Sequence, residues 1–320
     1  MEPILTGCNN FQEISKAVIT FLHKHVGFQL WMITRVSNND WIVLHNEDHG
    51  YGIIPGQVFH WPDSICHQMI SKDGPHIVPN CEDIPIYQTA QINQMVNIGA
   101  YIGQPLWDHH GQLFGTLCAI HPEPTDQSLY EFQDIIELLT KLLNHALQSE
   151  LRESELNRQY ERLEAEILKD HLTGLYNRRG WDYLMAAEEL RCNLYGFSAT
   201  VFVIDLNNLK ETNDKHGHQK GDHLLQLTSS ILIASARSTD ILARLGGDEF
   251  GIICINISPT DANELEKAIF QALEAHKISA AIGYSRRKYN DSLQHALALA
   301  DKKMYLHKKQ CKEDKIKIHP

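Results

Sequence analysis

The stretch RLGGDEF, residues 244–250, sets two glycines beside two acids between short apolar segments. The segments DILA before it and FGIICINI after it have the composition of β-strands. Gly-Gly between such strands predicts a hairpin, because glycine accepts positive φ without steric cost. A hairpin accounts for the glycines but not for Asp248 and Glu249, since adjacent carboxylates repel each other. A divalent cation would remove this repulsion, and the bare backbone of Gly246 and Gly247 would let a phosphate approach closely.

The overall composition is that of an ordinary globular chain, with 320 residues, 43% of them hydrophobic and 22% charged, and this length favours two domains. No apolar run approaches the roughly 18 residues that a membrane span needs. The first residues, MEPILTGCNNFQE, lack the basic region of a secretion signal. The seven cysteines are scattered and form no CxxC pair, which predicts a reducing compartment. We therefore expect a cytoplasmic protein without a membrane segment.

The net charge of −11 is concentrated in the first half of the chain. Residues 1–150 contain 5 Lys and Arg against 16 Asp and Glu, whereas residues 151–320 contain 24 of each sign. An acidic first half argues against nucleic-acid binding, which needs a basic surface. The asymmetry also supports two separate units.

The first unit combines a helix with several strands. FQEISKAVITFLHKHV, residues 11–26, repeats its apolar residues at helical spacing. Strands are predicted in FQLWMITRV, DWIVLHNE, YIGQPLW and GQLFGTLCAI, and a short helix in DSICHQMIS, with Asp63 as its cap. This mixture predicts an α/β sensory-type module.

A long helix is predicted between the two units, because residues 129–167 contain neither Gly nor Pro. Apolar residues recur there at heptad spacing, at positions 132, 135, 139, 142 and 146 and again at 156, 160, 163 and 167. The two heptad runs meet through polar Ser149 and Glu153. This pattern predicts a parallel coiled coil with a weak point, and the alternative is a single helix on the surface.

In the second unit, ATVFVIDL is predicted as a buried strand that ends near Asp205. Helices are predicted at 219–237, 261–276 and 292–309, and a strand in ISAAIGYS. If the hairpin strand lies beside this buried strand, Asp205 joins Asp248 and Glu249 in one metal site.

The polar segment 205–222 supplies further candidates for ligand binding. Asn213 and Asp222 are suited to a purine edge, since a carboxylate accepts hydrogen bonds from the N1 and N2 donors of guanine. Lys210 and, near the C-terminus, Lys302 are candidate phosphate contacts.

Five motifs in order, DHLTGLYNRRGW, DLNNLKETND, GHQKGD, RLGGDEF and ADKKMY, resemble the GGDEF domain of diguanylate cyclases over about residues 168–310. In the first unit, DSICHQMISKDGPHIVPN, AYIGQPL and GQLFGTLCAIHPEP resemble a GAF domain over about residues 5–148. The resemblance implies an α/β (α+β) protein with a GAF sensor domain, a signalling helix and a GGDEF domain of nucleotide-cyclase palm-like fold. The predicted ranges are 1–148, 129–168 and 169–320.

The resemblance also implies an activity, the condensation of two GTP into cyclic di-GMP with release of two pyrophosphates. Each domain of a homodimer would hold one GTP and two Mg²⁺ ions, with Mn²⁺ as an alternative ion. The implied roles are metal binding by Asp205, the Leu206 carbonyl and Asp248; guanine binding by Asn213, His218 and Asp222; deprotonation of the 3′-hydroxyl by Asp248 and Glu249; and phosphate contacts from Lys210, Lys302, Gly246 and Gly247.

Three positions depart from the family pattern. Asn207 stands where the family often has Asp, and Leu209 where it often has Phe. Leu306 falls where some members have a second basic phosphate contact, so the triphosphate is expected to depend more on Lys302. None of the three removes an implied metal or guanine ligand.

Five residues separate the segment RSTD, residues 237–240, from the first hairpin glycine, Gly246. This spacing matches the inhibitory product site of the family, in which Arg237 and Asp240 would bind cyclic di-GMP. The alternative interpretation is a polar turn that closes a helix.

The sequence also admits two other functions: a catalytically silent receptor for cyclic di-GMP or GTP, and a dimerisation scaffold driven by the GAF domain. The GAF signal is not identified. Cys66–His67 invites comparison with bilin attachment, but the segment before AYIGQPL, where that pair would lie, has neither residue. The nineteen histidines are expected to be surface or core residues rather than metal or haem ligands.

Overall fold

The computed structural model describes the backbone of residues 10–318 and side chains as far as residue 309. The outer limits of the predicted domains 1–148 and 169–320 lie outside the described residues. The chain forms two compact units, Met1–Leu156 with Leu194–Gly196, and Asn157–Asn193 with Phe197–Pro320. The division between them falls within the predicted signalling helix.

The first unit is built on a six-stranded antiparallel sheet with the strand order β3-β2-β1-β6-β5-β4. Its strands are β1 Leu30–Ser37, β2 Asp40–Asp48, β3 Val58–His60, β4 Ile77–Val78, β5 Ala100–Trp107 and β6 Leu113–His121. Its first helices are α1 Phe11–Val26, α2 Ile65–Ser71 and α3 Pro85–Gln88. The predicted helix 11–26 and the four predicted strands are confirmed.

Helix α1 has the caps that its sequence provides. Asn10 Oδ1 accepts a hydrogen bond from the Glu13 amide at 2.8 Å, and Gly27 ends the helix in the left-handed region at φ +85°. Its apolar face, including Ile19 and Leu22, is buried. The local sequence therefore determines both ends of this helix.

The predicted cap of helix α2 is wrong by one residue. Ser64, not Asp63, precedes the helix, and its hydroxyl accepts a hydrogen bond from the His67 amide at 3.0 Å. Asp63 belongs to the short 3₁₀ helix Trp61–Asp63. Both residue types cap helices, so the path of the preceding backbone decided between them.

The long helix α4, Gln133–Ala165, lies between the two sheets in sequence and begins later than predicted, because residues 127–132 form a 3₁₀ helix. Within the first unit its buried side chains include Ile136, Leu143 and Leu147. Several side chains of the predicted heptad stripe are instead exposed: Ile135, Leu142, Leu156, Tyr160, Leu163 and, just beyond the helix, Ile167. The helix thus has a buried apolar face and an exposed apolar stripe. Neither this helix nor another in the described range is both long and apolar enough to cross a membrane.

The second unit is built on a four-stranded antiparallel sheet with the order β10-β7-β9-β8. The strands are β7 Ala199–Leu206, β8 Ile241–Arg244, β9 Glu249–Ile255 and β10 Ala280–Arg286. The helices are α5 Arg178–Tyr195, α6 Leu209–His216, α7 His218–Ser235, α8 Pro259–Ala275 and α9 Leu293–Ile318. The predicted buried strand, the hairpin and the three predicted helices are confirmed, whereas α5 and α6 were not predicted.

The sheet of the second unit is covered on both faces. All eight residues of β7 are buried, with separate apolar clusters around Trp181 and Met304 and around Leu232 and Ile269. Helix α9 packs directly on β10 at Gly283, where a Cβ atom would lie 2.2 Å from the Met304 amide nitrogen. This close approach sets the position of the C-terminal half of α9 relative to the end of β7.

Candidate active site

The predicted acidic residues lie together at one end of the sheet in the second unit. Asp205, near the end of β7, is the register partner of Glu249, the first residue of β9. The Leu206 amide donates a hydrogen bond to the Asp248 carbonyl at 3.0 Å, which sets these two backbone segments side by side. Asp205 is only 6% exposed, so its charge needs a partner. The fold therefore brings together all four residues that the sequence placed at a metal site.

Glu249 is surrounded by other carboxylates. Burial raises the pKa of Glu249 above its usual value, the charges of Asp205, Asp248 and Asp301 raise it further, and Lys308 lowers it. Asp301, on α9, was not among the predicted residues. This concentration of negative charge would bind a cation, and it makes Glu249 a better proton acceptor than an ordinary glutamate.

Lys308 on α9 is the cation that the structure places beside these acids. Its Nζ donates a hydrogen bond to Asp205 Oδ1, and its side chain is 25% exposed. The predicted phosphate contact, Lys302, is exposed and lies six positions earlier, about 120° around the helix. Lys308 lies four residues after the buried Met304, and residues at this spacing share one face of a helix. This spacing is the sequence signal that would have placed Lys308 on the inner face of α9.

Arg244 holds the tip of the hairpin. Its guanidinium donates hydrogen bonds to the carbonyls of Gly246 at 3.2 Å and Gly247 at 2.8 Å, and it reaches Asp170 at 3.3 Å. The hairpin is confirmed, but the predicted reason for its glycines is wrong, since neither adopts positive φ. A Cβ at Gly246 would lie 3.3 Å from the Glu249 carboxylate, whereas one at Gly247 would meet no atom within 4 Å. The backbone at Gly247 is thus open to a ligand.

The predicted guanine ligands lie around the junction of α6 and α7. Asn213 Oδ1 is buried, and no hydrogen-bond partner for it is found among the described residues. Gly221, in the GHQKGD motif, was not among the predicted site residues and makes room for it, because a Cβ there would lie 1.9 Å from Asn213 Oδ1. His218 and Asp222 are exposed at the start of α7, and Lys210 is exposed in the first turn of α6. A buried amide oxygen without a partner is uncommon in folded proteins, and a water molecule or a ligand would satisfy it.

The donor atoms at the strand ends suit a hard cation. The Asp205 and Asp248 carboxylates and the Leu206 carbonyl offer oxygen atoms only, which are the ligands that Mg²⁺ prefers. The three carboxylates of Asp205, Asp248 and Glu249 do not form a ready set of ligand atoms within 4.8 Å of one another in the described structure. The residues fit a metal bound by two carboxylates, a carbonyl and oxygens of a phosphate ligand.

Two family models match the chain. The model described as diguanylate cyclase, GGDEF domain, matches residues 167–314, and the model described as GAF domain matches residues 10–147. The chain belongs to the GAF–GGDEF family. The GAF match lies inside the predicted range 1–148, whereas the GGDEF match begins two residues before the predicted range 169–320.

Curated relatives of this GAF–GGDEF chain carry cyclase names. It is 34% identical over 160 residues to the "Probable diguanylate cyclase DgcJ" of Escherichia coli K12, a match that covers 47% of this chain and 31% of that protein. It is 28% identical over 278 residues to the diguanylate cyclase DgcP of the same organism. This match covers 81% of this chain and 78% of DgcP. A solved sensory box/GGDEF family protein from Caulobacter crescentus is 33% identical, with a TM-score of 0.41, covering 45% of this chain and 99% of that one. The chain spans about a third of the length of DgcJ.

The RSTD segment of the GGDEF domain forms a tight turn after α7. The Arg237 amide donates to Asp240 Oδ2 at 2.8 Å, and burial raises the pKa of this carboxyl group. The Arg237 guanidinium is half exposed, 3.6 Å from Asp261. Arg162, at the end of α4, donates to the Ser238 carbonyl at 2.9 Å and also to the Thr239 carbonyl. The turn is therefore attached to helix α4.

The GAF domain encloses a small apolar cavity of about 30 Å³, lined by side chains that include Met32, Trp41, Cys66 and Ile120. Cys66 is buried, and its Sγ accepts a hydrogen bond from the Tyr101 hydroxyl at 3.2 Å. The volume is that of a water-sized molecule. In this conformation Cys66 thus faces a packed core rather than a large open pocket.

Proposed function

We propose that this protein is a diguanylate cyclase, which condenses two GTP into cyclic di-GMP and two pyrophosphates. One observation carries the proposal: Asp205, Asp248 and Glu249 lie together at the strand ends, with Lys308 as their cation. The family membership and the names of the curated relatives support it. GTP as the substrate favours the cytoplasm as the site of action.

In the proposed reaction, the 3′-oxygen of one GTP attacks the α-phosphorus of the other, and the bond from that phosphorus to the pyrophosphate oxygen breaks. Glu249, with its raised pKa, accepts the proton of the hydroxyl, assisted by Asp248. Asp205, the Leu206 carbonyl and Asp248 would hold Mg²⁺, which when bound supplies charge stabilisation at the phosphates. The 3′-oxygen of the second GTP attacks the α-phosphorus of the first in the same way. This second step closes the ring and releases the second pyrophosphate.

Substrate positioning is assigned to two groups of residues. Asn213, His218 and Asp222, around the junction of α6 and α7, are assigned to the guanine edge, for which the Asn213 side chain has to turn away from Gly221. Lys308, with Lys210, neutralises the triphosphate, and the open backbone at Gly247 lets it approach. When GTP and the metal bind, the Lys308 ammonium exchanges its contact with Asp205 for phosphate oxygens.

The reciprocal attack requires a homodimer, since each chain supplies one GTP. The exposed stripe of α4 supports a parallel coiled coil, because Leu156, Tyr160 and Leu163 are each more than 60% exposed. A second copy of the helix would cover these side chains. A signal at the GAF domain would act through this helix.

Product inhibition at RSTD is the regulatory part of the proposal. The exposed Arg237 guanidinium is free to exchange its long contact with Asp261 for a phosphate of cyclic di-GMP. Asp240 builds the turn that presents it. Because Arg162 of α4 bonds two carbonyls of the same turn, product bound there would also restrain the helix.

The alternative function is a receptor that binds cyclic di-GMP or GTP without turnover. The retained pair Asp248 and Glu249 favours catalysis, since a receptor needs no proton acceptor beside the metal site. A scaffold without nucleotide chemistry would leave the carboxylate cluster unexplained.

The experiment incubates the full chain with GTP and Mg²⁺ and measures cyclic di-GMP and pyrophosphate by liquid chromatography and mass spectrometry. We expect both products from the wild type and none from Asp248→Asn, which loses a ligand charge without losing a core contact. Glu264→Gln, an exposed acid on α8, is the control and should retain the activity. Nucleotide binding without product in the wild type would establish the receptor, and near-normal turnover by Asp248→Asn would contradict the metal assignment.

A further inference from the structure

The first unit contains a second group of ligating side chains, far in sequence from the carboxylates of the candidate active site. His109 and His110 in the β5–β6 turn and Glu155 on α4 each offer a ligand atom, and these atoms lie within 4.8 Å of one another. In the described part of the chain, this is the only such set of three among His, Cys, Asp and Glu. We propose that these residues form a binding site for a divalent transition-metal ion, with zinc as the best match.

The geometry of the pair His109 and Glu155 fits zinc. Their Nε2 and Oε2 atoms are 3.3 Å apart, at the long limit for a hydrogen bond. Two ligands at about 2.1 Å from a tetrahedral zinc ion lie roughly 3.4 Å apart. An ion between these atoms therefore requires almost no movement of either side chain. His110 supplies a third ligand, and water completes the tetrahedron.

The two histidines are held on a rigid turn. The Asp108 carboxylate accepts hydrogen bonds from the amides of His110 at 2.9 Å and Gln112 at 2.8 Å, and Gly111 takes a φ of +75° that the turn requires. The rings of His109 and His110 have their centroids 3.9 Å apart. Neighbouring residues in the chain thus direct both imidazoles to the same side.

Helix α4 is already fixed to this hairpin, which places Glu155 within reach. Asn144 Oδ1 accepts a hydrogen bond from the Trp107 amide at 2.7 Å, and Gln148 donates to the Trp107 carbonyl at 3.2 Å. Both residues lie on α4, two and three turns before Glu155. The ligand types also agree with zinc, since imidazole with carboxylate is a common zinc donor set, whereas Mg²⁺ and Ca²⁺ prefer oxygen alone. The charge of −11 over residues 1–150 favours a cation there.

A bound ion would connect the β5–β6 turn to the part of α4 that precedes the second unit. It would hold Glu155, which is half exposed in the metal-free protein, in one position. The site goes beyond the proposed function, and its existence does not depend on cyclase activity.

The test uses the full chain, freed of metal by chelation, and a zinc titration in competition with a chromophoric chelator. We expect about one tight zinc ion per chain for the wild type. His110→Ala and Glu155→Gln should weaken it by more than about tenfold, since even outer-shell changes weaken metal sites by about 10–100-fold. The matched control is His60→Ala, because His60 and Asp63 form a similar pair at 3.1 Å without a third ligand. This variant should bind zinc like the wild type.

Hydrogen exchange supplies a second measurement, independent of the count of bound ions. Zinc should protect peptides covering residues 105–113 and 148–156 in the wild type and not in Glu155→Gln. A wild type that binds no zinc, or equal affinities in the wild type and both ligand variants, would overturn the proposal. Binding without protection of either segment would also overturn it.

Discussion

Lys308 on helix α9 donates a hydrogen bond to Asp205 at the end of strand β7, 103 positions earlier in the chain. The pair places a cation beside a buried carboxylate that would otherwise face Glu249. In the protein without ligands, Lys308 offsets the negative charge that the proposed Mg²⁺ would offset in the loaded enzyme. We propose that the same lysine contacts the phosphates of GTP.

We predict that Lys308→Met lowers kcat/KM for GTP by about tenfold to hundredfold, because a hydrogen bond to a charged group contributes about 1.5–3 kcal/mol. Lys302→Met is the matched control on the same helix and should leave kcat/KM unchanged. Steady-state rates of pyrophosphate release measure both. Equal losses in the two variants would contradict a specific role for Lys308, and a loss in Lys302→Met alone would show that the phosphates lie nearer Lys302.

The raised pKa of Glu249 predicts a pH-dependent stability. A carboxyl group with a higher pKa in the folded state binds more protons there than in the unfolded chain. Its contribution to stability therefore falls as pH rises from the unfolded value of about 4.3 through the folded pKa. Glu249→Gln cannot ionise, so its melting temperature should exceed that of the wild type by an amount that grows over this range. Thermal unfolding of the protein without nucleotide or metal measures the difference.

The control for the Glu249 prediction is Glu264→Gln on α8. We expect the difference in melting temperature between this variant and the wild type not to grow with pH. If the melting temperatures of Glu249→Gln and the wild type differ by the same amount at every pH, the pKa of Glu249 is not raised. Asp205→Asn removes one of the charges responsible, so the same trend should be weaker when Glu249 is replaced in that background.

Arg237→Ala should relieve product inhibition without lowering the initial rate, because Arg237 lies on the RSTD turn and not among the strand-end carboxylates. Arg178→Ala is a close control, since Arg178 is equally exposed and also pairs with an aspartate, Asp182 at 3.2 Å. Initial rates with and without added cyclic di-GMP measure the effect. A wild type that is insensitive to excess product would leave RSTD as a turn that closes α7.

The length of helix α4 should affect activity periodically. Ser149 and Glu153, the polar positions between the two heptad runs, are both exposed. Inserting one whole heptad after Glu153 restores the orientation of the apolar stripe in a coiled coil, whereas half a heptad turns it away. We expect cyclase activity to be retained with the seven-residue insertion and to fall most with an insertion of three or four residues. Sedimentation of each variant shows whether it remains a dimer, and a smooth decline with insert length would indicate a passive tether.

Part of this fold follows from local sequence alone. The run ATVFVIDL predicts a strand buried on both faces, and Asn10 and Gly27 mark the two ends of α1, because burial period and capping depend on neighbours within a few residues. Helix α6, LKETNDKH, was not predicted, since it is short, polar and without an apolar period. In the folded chain, α6 packs against α7.

The candidate active site also contains some residues that the sequence identified and others that only the tertiary structure revealed. The motifs around Asp205 and Glu249 identified the acidic residues, because each lies within a short pattern at a strand end. Only the tertiary structure shows that Lys308 contacts Asp205, since that contact depends on how closely α9 approaches β10 at Gly283. Likewise, the chain order gives no sign that His109 and Glu155 are neighbours, because 46 positions separate them and the packing of α4 on the hairpin joins them. Sequence determined which residue types lie at strand ends and turns, and packing distances between elements decided which of them meet.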